Sequence, residues 1–74
     1  MSNRTKGNAR MRELIFQVID GMEPGTVITS QEMCKIIEGK DSRMWPFPAR
    51  VGNLIRMHDR IRHVHHGFMV LEAA

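Results

Sequence analysis

The feature that most constrains this chain lies between residues 11 and 22. There Met11, Leu14, Ile15, Val18, Ile19 and Met22 recur at i, i+3, i+4, i+7, i+8 and i+11. Apolar side chains at that spacing share one face of an α-helix, and other parts of the chain must cover them. With only 74 residues, the cover has to come from a few short elements, so one small domain with one core is expected. Such a chain has little room for a core and an enclosed catalytic cleft together. Asn8 is a good N-cap for this first helix, and Asp20-Gly21 followed by Pro24-Gly25 offers a stop and a turn. Residues 1–7 are polar and carry Arg4 and Lys6, which reads as a flexible basic arm ahead of a domain over 8–74.

The next elements follow from local chemistry. Thr26-Val27-Ile28 is β-branched and predicts a short strand. Thr29-Ser30-Gln31-Glu32 matches a capping box, in which the first and fourth residues satisfy each other's free backbone N–H. It opens a second helix from Ser30 to Glu38 with Met33, Ile36 and Ile37 inward, ended by Gly39. Cys34 lies beside that stripe and reads as a small buried hydrophobe. As the only cysteine it can form no intramolecular disulfide, which points to a reducing, cytoplasmic compartment, on the nucleoid in a bacterial, archaeal or phage setting. No apolar run approaches the roughly 18 residues of a membrane span, and no secretory leader is expected.

Residues 39–47 are irregular. Trp45 and Phe47 each precede a proline and are held extended. Trp45 is expected to be a lid on the small core; the alternative is a stacking surface or a partner anchor. Pro48 suits the first turn of a third helix over 48–60, with Val51, Leu54, Ile55 and His58 inward. Arg50, Asn53, Arg56, Met57 and Arg60 lie off that stripe. Gly52, inside this helix, suggests close approach by another helix or by a phosphate backbone. Ile61 to His65, the turn His66-Gly67 and Phe68 to Glu72 read as a β-hairpin. Ile61, Met69 and Leu71 are expected in the core, with Phe68 and Val70 at the surface beside the histidines.

Charge is polarised along the chain. The formal net charge is +3. Between Arg43 and His66 there are five arginines (Arg43, Arg50, Arg56, Arg60, Arg62) against the single acid Asp59. Arginine forks and an amide on a helix are the side chains that contact phosphates and base edges.

The order of these elements resembles the winged helix-turn-helix DNA-binding family over residues 8–71. The elements that carry the resemblance are the stripe of the first helix, the capped second helix, the Val51/Leu54/Ile55 helix and the C-terminal hairpin as a wing. The resemblance implies an α+β fold: three helices, a short strand and a C-terminal β-hairpin wing. It implies that the third helix enters the major groove of double-stranded DNA, with Arg50, Asn53, Arg56 and Met57 facing the groove. Arg62, His65 and His66 would be wing contacts on the backbone or minor groove, and Arg43 and Arg60 would add phosphate contacts. The function so implied is a small transcriptional regulator. Two features depart from the family pattern: the 39–47 link is longer than the usual turn, and the hairpin carries Phe68 and Val70. They support an alternative, a winged-helix protein-interaction module anchored by aromatics near Trp45 and Phe68. Single-stranded nucleic acid is a third possible ligand of the basic face.

Catalytic signatures are not found. There is no glycine-rich phosphate loop, no nucleophile elbow and no pair of carboxylates at a telling spacing. His63 and His65, with His58 and His66 nearby, offer at most a partial metal set, and neither metal nor cofactor is expected. No enzymatic activity is expected.

Overall fold

The computed structural model describes residues 2–72, with side chains from residue 9 onward. The elements in order are α1 (Ser2–Asp20), β1 (Val27–Ile28), α2 (Ser30–Lys40), α3 (Pro48–Ile55), β2 (Ile61–Val64) and β3 (Gly67–Val70). Three helices thus pack with one antiparallel sheet of order β1-β3-β2, a small α+β domain.

The α1 stripe buries Met11, Leu14, Ile15 and Ile19, with Val18 and Met22 half-buried beside them. The helix begins at Ser2, so Asn8 lies inside it instead of capping it, and the backbone of residues 2–7, expected as an arm, continues the helix. Once the turns over the core exist, each further residue gains a hydrogen bond without a new nucleus, and no proline interrupts the run. α2 opens on the expected box: Glu32 N–H donates to Thr29 Oγ1 at 3.1 Å and Thr29 N–H to Glu32 Oε1 at 2.9 Å. Such a cap contributes about 1 kcal/mol. The helix runs past Gly39 to Lys40, because Gly39 keeps a negative φ and so forms no left-handed stop.

α3 ends at Ile55, earlier than the 48–60 expected. Beyond it Met57 N–H bonds to Leu54 O and His58 N–H to Ile55 O, the tighter i to i−3 pattern of a closing turn. Arg60 N–H then donates to His58 Nδ1 at 3.0 Å, which bends the chain toward β2. Met57 and Arg60 therefore lie outside the third helix.

On β3 the inward face is the reverse of the expected one, while Ile61 of β2 packs against the core as expected. In the antiparallel register His63 faces Phe68 and Ile61 faces Val70. On β1, Ile28 faces Phe68. Successive side chains alternate, so Ile28, Phe68, Val70, Ile61 and His63 share one face. Phe68 and Val70 are buried, while Met69 and Leu71 are only half-buried. Phe68-Met69-Val70-Leu71 is apolar throughout, so its own pattern cannot choose the phase. The helices choose it, because β3 is the central strand. Phe68 is therefore unavailable as a surface anchor.

The core joins all elements. Ile15 and Ile19 of α1, Met33 and Ile37 of α2, Val51 and Ile55 of α3 and Val70 of β3 are fully buried. Each such side chain contributes about 1.5–3 kcal/mol on burial. Trp45, expected as a lid, is 79% exposed. Its neighbour Met44 is the side chain of the link that packs against the core. A flexible thioether fits a residual gap better than a rigid indole confined before a proline.

Candidate nucleic-acid interface

The placement of α3 starts from Gly52. A methyl group added there would stand 3.0 Å from Ser30 Oγ and 3.8 Å from Phe68 Cζ. The helix thus lies directly against the first turn of α2 and the ring of β3. With Val51, Gly52 and Ile55 inward, Ala49 and Asn53 are left exposed on the other side. Arg50 flanks them, its guanidinium 5.2 Å from the centre of the Phe47 ring. Arg56, the C-cap, places its guanidinium 6.0 Å from the Phe68 ring. The first turn of α3 carries no acidic residue and no side-chain cap.

Phe68 links this helix to the hairpin. The His63 ring stacks on it at 5.1 Å and 23°. Arg56 and His63, both exposed, thus each approach the buried Phe68 ring, one from the end of α3 and one from β2. Arg62, paired opposite Met69, lies on the other face of the sheet. His65 and His66 form the two-residue turn, exposed, with their rings 4.3 Å apart edge to face. Both keep negative φ, so the reversal of hand falls on Gly67, with φ +154°.

The clasp behind α3 fixes its angle. His58 is buried between α1 and the turn. Its Nδ1 accepts from Arg60 N–H, so Nε2 is the protonated nitrogen of the neutral ring and donates to Asp20 Oδ1 at 2.9 Å. The Phe16 ring meets the imidazole edge-on at 4.7 Å. Arg60 Nε donates to Leu71 O at 3.0 Å, and its guanidinium approaches Asp20 at 3.8 Å. One histidine and one arginine thus tie the end of α1, the turn after α3 and the end of β3.

The residues singled out in the sequence separate accordingly. Arg50, Asn53 and Arg56 lie along the outer side and end of α3, and His65 and His66 at the hairpin tip. Arg60 is held in the clasp. Met57 is exposed but lines a groove with Phe16, Gln17 and Asp20 of α1. Arg43 leans on Asp41, with Nε 3.4 Å from Oδ1, and stays 89% exposed. The Arg43 backbone N–H, donated to Asp41 Oδ1 at 3.0 Å, is the chief reason that this carboxyl titrates below its ordinary 3.8. His63 was not among the expected wing contacts; its phase follows only from the inward phase of Phe68. Cys34 is buried, and burial, with Glu38 nearby, pushes its thiol above the ordinary range. Among the described residues no group of three or more His, Cys, Asp or Glu is placed to hold a metal ion. No helix among them is long and apolar enough to cross a membrane.

Comparison of the chain with known protein families, curated proteins and solved structures gives no match.

Proposed function

We propose that the protein is a small winged-helix DNA-binding protein, a transcriptional regulator that lays α3 in the major groove of duplex DNA. The observation that carries this reading is the Phe68 ring, which exposed Arg56 at the end of α3 and exposed His63 of the hairpin both approach. A helix face and a hairpin edge that adjoin can engage a groove and its flanking backbone together. The order β1-β3-β2, with β1 entering beside the last strand, suits a hairpin that projects as a wing. Arg50 and Arg56 would contact phosphates or guanine edges, and Asn53 an adenine edge. The tip histidines His65 and His66 would meet the backbone.

Fluorescence anisotropy with a labelled random duplex at two salt concentrations tests the reading. Binding at low salt should weaken as salt rises, with a slope of about 0.9 per phosphate neutralised. Arg56→Ala should lower that slope by about 1. Absence of binding at low salt, or affinity indifferent to salt, would reject the proposal.

A further inference from the structure

The link before α3 holds a second surface of different chemistry. Trp45 is 79% exposed and Phe47 is exposed beside it. With Met44, Pro46, Ser42 and Glu38 they line an open hollow of about 430 Å³. Leaving an indole in water forgoes one of the largest burial gains that a small domain has. Glu38 is the only ionisable group lining this hollow. It forms no ion pair with any described residue, including Lys35 one turn earlier. The hollow therefore combines a bare π-face with an unpaired carboxylate, and both attract cations.

The chain already uses this chemistry two residues away. Arg50 covers Phe47 at 5.2 Å. Trp45, the larger and better cation acceptor, has no such cover among the described residues. Arg43 is near in sequence, but its guanidinium leans on Asp41. The backbone also favours an extended occupant over a free small cation. Neither the Trp45 nor the Phe47 N–H donates to another backbone group among the described residues. A peptide lying along this link can pair with those amides while one basic side chain reaches the hollow.

We propose that Trp45, Glu38 and the 44–47 backbone form a docking site for an extended segment of a partner protein, anchored by one arginine or lysine between the indole and the carboxylate. Asn53 and Arg56 take no part in this site, whereas Arg50, which covers Phe47, borders both it and the proposed DNA face.

The lone tryptophan is its own reporter. The full chain is titrated with a capped pentapeptide holding one arginine, with the same peptide holding citrulline, with free arginine amide and with single-stranded oligothymidylate. Trp45 fluorescence and its indole N–H resonance are followed. The arginine peptide should saturate the signal, about fivefold more tightly than the neutral citrulline peptide. Glu38→Gln should reduce that preference, leaving the part due to the indole, and Arg56→Ala should leave it intact. Trp45→Leu should abolish binding read from backbone amide shifts. All three substituted side chains are exposed, and unchanged circular dichroism checks the fold. An unmoved indole signal, equal affinity for the citrulline peptide, or an unaffected Glu38→Gln variant would overturn the proposal. Free arginine amide binding as tightly as the peptide would overturn the protein-segment assignment. Tighter saturation by oligothymidylate would assign the indole to a nucleic acid instead.

Discussion

Gly67→Ala should be the most damaging single-methyl change in the hairpin. At φ +154° an L side chain is strained, and the added Cβ would stand 2.6 Å from Ile28 O and 3.2 Å from Ile28 C. These are backbone atoms of β1, and they cannot turn aside as a side chain can. The conformational part costs about 1–2 kcal/mol. The collision costs about 1–3 kcal/mol more. Gly25→Ala separates the two effects, because Gly25 also has positive φ, +91°, yet nothing lies within 4 Å of its would-be Cβ. That variant should lose only the conformational part. A domain of this length is stable by about 0.05–0.15 kcal/mol per residue, so Gly67→Ala should remove a large fraction of the total. Its melting temperature should fall by about 8–40 °C, and that of Gly25→Ala by about 4–16 °C. Urea and thermal unfolding followed by far-ultraviolet circular dichroism are the suitable assays; Trp45, already exposed, reports little on unfolding. Equal losses in the two variants would refute the claim that β1 approaches β3 too closely for a side chain at position 67.

Four further outcomes are expected. Asn53→Ala should narrow the affinity difference between preferred and random duplexes by about 1–3 kcal/mol without changing the salt slope, measured by competition anisotropy. His58→Ala should cost about 2–4 kcal/mol in urea unfolding, since it opens a cavity and strips the partner from Arg60 N–H; a loss below about 0.5 kcal/mol would deny the clasp its role. Because the Asp41 carboxyl titrates low in the folded chain, its contribution is present above its ordinary 3.8 and is lost as pH falls through the lower folded value. Asp41→Asn should therefore flatten the acid limb of the stability profile by lowering the plateau at neutral pH, with little effect below the folded pKa. Cys34, buried and with its thiol pushed up, should react with a thiol reagent much more slowly than a free cysteine at neutral pH, and at the free rate in denaturant.

What the chain alone determined is the local part. The stripe from Met11 to Ile19 of α1, the Thr29–Glu32 box of α2, the proline at the start of α3 and the glycine after the hairpin turn are all short-range patterns. A helix period or a cap needs only neighbours within four residues, so such elements are legible without a fold. The basic side chains on α3 were legible for the same reason. Choices between equal local alternatives were left to the tertiary structure. Phe68-Met69-Val70-Leu71 has no polar residue to set its phase, and the helices under the central strand turned Phe68 and Val70 inward. That phase brought His63 onto the Phe68 ring and sent Arg62 to the other face. Met44, not Trp45, packs against the core from the link. Arg60 and His58 were drawn to Asp20 and Leu71, partners 38 residues and 11 residues away. Such distant pairings leave no periodic trace in sequence, and they decide which of the basic residues stand free on the surface.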